Sequence, residues 1–135
     1  ACLCFRRSAL TETDGFDVGY EMYSEEMDLL RELRTNGWCC AVTANARIQH
    51  RGSASADQDP IARERRFFKS RYRYVTKTWG WPVAAALRVF VAVSGLVRLL
   101  EQIVRMVRPA HRTDARREIR QIATLTVWQW FGWGR

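Results

Sequence analysis

Between Ser24 and Thr35 the apolar residues Met27, Leu29, Leu30 and Leu33 fall at helical spacing, with charged residues between them. The pattern predicts a helix with Ser24 as its N-cap. Asn36-Gly37 supplies a left-handed stop. A second helical pattern opens at Asp59-Pro60, where a capping residue precedes proline at the first helical position. From there Ile61, Phe68, Tyr72, Val75 and Trp79 recur on one face, while Arg and Lys fill much of the rest. Gly80 and Pro82 interrupt this pattern. A third helix is expected from Pro82 to Val107, ended by Pro109, and a last short one within residues 113–133. Two stretches read differently. Ala1 to Phe5 alternates weakly and "WCCAVTA", from Trp38, is an apolar run; both suggest strands. "ARIQH" extends the second to His50. "TETDGFD" and "RGSASADQD" have the composition of a turn and a loop.

The 135 residues favour one domain. Charge is unevenly spread. Residues 1–50 hold five arginines and eight carboxylates, a balance of −3; residues 51–135 hold 17 Lys and Arg against six acids, a balance of +11. The basic part suits an anionic partner such as nucleic acid or a phospholipid surface. Its apolar run, "VAAALRVFVAVSGLV", is broken by Arg88 and followed by Arg98, Glu101, Gln102 and Arg105 on one side of the helix. Such a helix fits a membrane interface, or another apolar surface, better than a span. Trp128, Trp130 and Trp133 suit an interfacial anchor. Cys2, Cys4, Cys39 and Cys40 lack zinc-site spacing and are expected as reduced, mostly buried thiols. The first residue is Ala, and no apolar secretory segment develops before Asp14, so the chain reads as the continuation of a longer one.

Candidate chemistry is sparse. Glu25, Glu26 and Asp28 fall in the first turn of the predicted helix. There the helix dipole stabilises carboxylates by a few tenths to about 1 kcal/mol each. One of them could instead take a proton from a substrate hydroxyl. His50, at the end of an extended piece, is either structural or a ligand for a metal or phosphate. "FFKSRYRY" mixes basic and aromatic residues as single-strand nucleic-acid grooves do, but its aromatics share one helical face.

The order of the motifs carries more than any one of them. "ACLCFRRSAL", "GFD", "MYSEEMDLLRELRTNGW" and "ANARIQHRGSAS" follow one another, with "RYRY" and an apolar tail behind them. This series resembles the second half of the catalytic domain of bacterial family-two glycosyltransferases, in particular the rhamnosyltransferase-like branch, over about residues 1–80. The resemblance implies an α/β fold. Residues 1–58 would be the acceptor-side half of a GT-A (Rossmann-like) domain, followed over 59–135 by long, membrane-associated C-terminal amphipathic helices. It implies an inverting transfer from a nucleotide-sugar donor to a lipid-linked or polysaccharide acceptor at the cytoplasmic face of the cell membrane, in envelope glycan synthesis. Glu26 falls on the family's general base, where Asp is usual. Glu25, Asp28 and Tyr23 fall where the acceptor would bind. His50 falls on a ligand to a divalent metal, Mg or Mn. Asp14 stands in place of the first glycine of the family's Gly-Gly-Phe-Asp. The chain's one Asp-x-Asp, Asp57-Gln58-Asp59, lies in the loop after the matched motifs, and no βαβ unit precedes them, so the nucleotide-binding half is expected outside the chain, and the chain alone is expected to be inactive. No nucleic acid is expected as a partner on this reading. The competing reading is a non-catalytic basic module that binds anionic membrane or nucleic acid.

Overall fold

The structure, a computed structural model, describes residues 2–49, 59–105 and 112–131. Its elements are α1 (Arg7–Thr11), α2 (Glu25–Thr35), α3 (Pro60–Trp79), α4 (Trp81–Arg105) and α5 (Arg112–Phe131). The chain forms two compact units, Ala1–Tyr74 and Val75–Arg135, divided within α3.

Among the described residues there is no strand, which overturns the expected α/β fold with its Rossmann-like half. The segments read as strands, 2–5 and 38–44, run outside any helix and form no ladder. Alternation shows where a chain can extend. A sheet also needs a second strand about 4.8 Å away to take up the backbone N–H and C=O groups. The cysteines follow the same correction: all four are free, and they are exposed rather than buried.

The first unit is built on α2. Leu29 and Leu33 pack with Ala9 of α1, and Phe5, Leu10 and Trp38 close around them. The α2 C-terminus is a Schellman turn. The Trp38 N–H donates to Leu33 O at 2.9 Å, and the Gly37 N–H to Arg34 O at 3.1 Å, with Gly37 at φ +87°. The Trp38 indole then donates to Glu12 Oε2 at 2.8 Å, and the Asn36 side chain to Glu12 O at 3.1 Å. The end of α2 is thereby tied to the residue that follows α1.

Helix α3 begins as its sequence demands: Asp59 Oδ1 accepts from the Ile61 and Ala62 N–H groups, each at 3.0 Å. It ends at Trp79, followed by Gly80 at φ +86°. In the second unit α4 packs on α5. Gly95 lies against Thr126, while Arg98, Glu101 and Gln102 line a groove with Glu118, Gln121 and Ile122, so the two helices run antiparallel. At 20 residues, α5 is longer than the short helix its sequence suggested.

Candidate functional site

The residues linking Asp17 to α2 are strapped along α3, within the first unit. Asp17 is the first anchor. Arg73 Nη2 donates to its two carboxylate oxygens at 2.8 and 2.9 Å, and Arg73 Nε adds a longer bond at 3.3 Å. Asp17 Oδ1 also accepts from the Gly19 N–H at 2.8 Å. The Arg73 guanidinium lies 5.4 Å from the centre of the Tyr20 ring. A Cβ at position 19 would displace that guanidinium from Asp17. Next along the strap, Glu21 pairs with Lys69 and, at 3.8 Å, with Arg66. The hydrogen bond and charge of Lys69 hold the Glu21 carboxyl below its ordinary 4.5; slight burial opposes this and Arg66 assists. Then Ser70, itself buried, donates its hydroxyl to Met22 O at 2.6 Å.

These anchors hold an unusual turn. Tyr23 and Ser24 both have left-handed backbones, φ 71° and 65°. For non-glycine residues this costs on the order of 1 kcal/mol or more each. Tyr23 offsets part of that cost by packing edge-to-face on Phe67, ring centres 5.6 Å apart. Ser24 sits at the predicted N-cap position, but its side chain makes no capping bond. The first turn of α2 therefore opens directly after a strained knuckle, with Glu25, Glu26 and Asp28 in it.

The three acids have different surroundings. Asp28 is almost wholly buried, 3% exposed, and forms an ion pair with Arg31 one turn on, at 3.4 Å. Glu25 and Glu26 are half-buried, and each holds one buried oxygen, Oε2, without a hydrogen-bond partner among the described residues. An unsatisfied buried acceptor costs about 1–3 kcal/mol, more when charged. The helix N-terminus reduces that cost without using up the lone pairs.

The structure thus brings Tyr23, Glu25, Glu26 and Asp28 to one end of α2. His50 lies outside the described residues. Among the described residues, no three His, Cys, Asp or Glu side chains come together as a metal site. The aromatic residues of "FFKSRYRY" are turned to packing. Phe68 stacks on Tyr72, which is fully buried, and Phe67 carries Tyr23 on one side and Arg71 on another.

Sequence reasoning overlooked Asp17, Ser70 and Arg73 as the residues that fix the strap. Asp17 was visible as the last residue of the retained "GFD", and Arg73 as part of "RYRY". Their pairing across 56 positions leaves no trace in local spacing.

Comparison with known proteins places a glycosyltransferase among this chain's relatives. The chain is 29% identical, over 126 residues, to the N-acetylglucosaminyl-diphospho-decaprenol L-rhamnosyltransferase of Mycobacterium tuberculosis, in two strains. The match takes in 90% of this chain and 38% of each relative, so the chain spans well under half the length of the curated relatives it matches. No family profile and no solved structure matches it.

Proposed function

We propose that this chain is the acceptor-side portion of a glycosyltransferase of cell-envelope glycan synthesis. The enzyme would move a sugar from a nucleotide-sugar donor to a lipid-linked acceptor at the cytoplasmic face of the membrane. The nucleotide-binding part lies outside the chain. The observation that carries this reading is the placement of the half-buried carboxylates of Glu25 and Glu26 in the first turn of α2, directly behind a strained turn. That pair lies in a chain related to an enzyme named for rhamnosyl transfer to a diphospho-decaprenol-linked sugar.

In this reading Glu26 takes the proton of the acceptor hydroxyl as its oxygen attacks the anomeric carbon of the donor sugar. The nucleoside diphosphate leaves from the opposite face, and the configuration inverts. Glu25 and Tyr23 orient the acceptor. Asp28, held by Arg31, fixes the first turn of α2 from behind and so sets where the Glu26 carboxylate stands. The relative's name points to rhamnose as the sugar and a polyprenyl diphosphate as the lipid handle.

The test uses the protein that carries this chain together with its nucleotide-binding part. It is incubated with dTDP-rhamnose and a short-chain polyprenyl-diphospho-N-acetylglucosamine, and the product is examined by NMR. The expected product is lipid-linked, with the anomeric configuration inverted relative to the donor. A retained configuration, or transfer to water alone, contradicts the reading.

A further inference from the structure

Helix α4 distributes its residues the opposite way from a helix of a water-soluble bundle. Its buried residues are small or polar: Ala84, Ala92 and Gln102. Its large apolar residues are exposed, among them Phe90 at 68%, Leu100 at 63% and Val104 at 69%. The partner helix repeats the pattern: Thr126 and Gln129 are buried in α5, while Val127 and Trp130 are exposed. Gly95 lets the two backbones approach, since a Cβ there would press on the Thr126 hydroxyl. Small and polar residues between helices, with bulky apolar ones outside, is the arrangement that lipid favours. An apolar surface this continuous is rare on a soluble monomer.

Length and composition alone would let α4 cross a membrane. The placement of its charges decides against that. At 100° per residue, Val89, Phe90, Val93, Leu96, Val97, Leu100, Ile103 and Val104 fall within a stripe roughly 140° wide and about 22 Å long. Arg98, Glu101 and Arg105 share the same turns as Val97, Leu100 and Val104, but stand beside the stripe, and all three are exposed. A spanning orientation would carry Arg88, inside the apolar run, close to mid-depth in hydrocarbon, at roughly 2.5–3.5 kcal/mol. An in-plane orientation puts the stripe among acyl chains and the charges among headgroups, with no conflict at any turn. Charge also argues for the kind of lipid. Residues 81–135 hold nine arginines against three acids, a balance of +6. Such an excess of arginine favours an anionic surface over a neutral one.

We propose that α4, backed by α5, lies in the plane of an anionic phospholipid leaflet with its Val89–Val104 stripe in the acyl layer. This deepens the membrane placement proposed above but rests on α4 and α5 alone, so its failure would leave the sugar-transfer reading standing, and the reverse.

The test uses the full chain with Cys2, Cys4, Cys39 and Cys40 replaced by serine, and single nitroxide labels at Val93→Cys, Val97→Cys, Leu100→Cys or Val104→Cys. Comparison labels go at Arg98→Cys, Glu101→Cys or Arg105→Cys. On phosphatidylcholine–phosphatidylglycerol vesicles the first set is expected to be accessible to oxygen and shielded from an aqueous nickel relaxant, and the second set the reverse. Accessibility then oscillates with helical period. A steady change of depth along the helix would overturn the proposal in favour of a span. Stripe labels shielded from both reagents would overturn it in favour of a protein partner or a second copy. Unlabelled chain should float with the same vesicles, and Leu100→Glu with Val104→Glu should weaken that binding by about tenfold or more. Wild-type chain that stays with the soluble fraction would also overturn it.

Discussion

Asp17 organises more of the candidate site than the acids that first draw attention. Its carboxylate serves the guanidinium of Arg73 and the backbone of Gly19 at once. Asp17→Ala leaves both donors unserved. Its expected cost is about 1–2 kcal/mol, larger than for an ordinary surface pair because the contact is two-pronged and includes a backbone donor. Urea unfolding of the full chain checks it, and Gly19→Ala should reproduce much of the loss by displacing Arg73. Glu21 is a separate case. Its carboxyl titrates lower in the folded chain than in the unfolded one, because Lys69 holds the charged form. The unfolded chain therefore takes up this proton first as pH falls. The stabilisation is present above the ordinary value of 4.5 and is lost as pH falls through the lower folded value. The pair is half-exposed, so the effect is small and screened by salt. A plot of unfolding midpoint against pH should fall more steeply below about 4.5 in the native chain than in Lys69→Met.

At the scale of elements, helices were legible and everything that depends on a distant partner was not. The Met27–Leu33 stripe with Asn36-Gly37 behind it marked α2 to within a residue, and Asp59-Pro60 marked the start of α3. These signals are local: a period, a cap and a left-handed stop. The short helix α1 lacks a period of its own and is held by packing Ala9 on Leu29 and Leu33, so no local signal marks it, and the expected strand stopped before it at Phe5. The expected strands failed for the same reason in reverse, since extended composition without a neighbour makes no sheet. Serine at position 24 was legible as a boundary, but its cap was not formed, because the left-handed turn at Tyr23 and Ser24 points the backbone elsewhere. In α2 and the turn that ends it, two substitutions separate two kinds of stability. Gly37→Ala meets no atom within 4 Å, so its expected cost, about 1 kcal/mol, is that of a left-handed backbone alone. Leu29→Ala opens a void at the most buried leucine and should cost about 2–5 kcal/mol. Denaturant titration of both variants should rank them in that order.

For the whole molecule the asymmetry of charge has a physical reading. The acids gather around α2 and its strap, and the basic residues run through α3 and beyond. Part of that basic face is consumed internally, by Asp17 and Glu21 on Arg73, Lys69 and Arg66. The chain covers 38% of its relatives' length, so transfer is a property to be measured on the longer protein. The central claim is that the Glu26 carboxylate accepts the acceptor's proton. Its most direct test compares turnover of that protein with Glu26, Glu26→Asp and Glu26→Gln at saturating donor. The account predicts that Gln lowers kcat by about 100-fold or more, with donor binding unchanged, and that Asp keeps measurable turnover. A Glu26→Gln enzyme turning over as fast as the native one would contradict it.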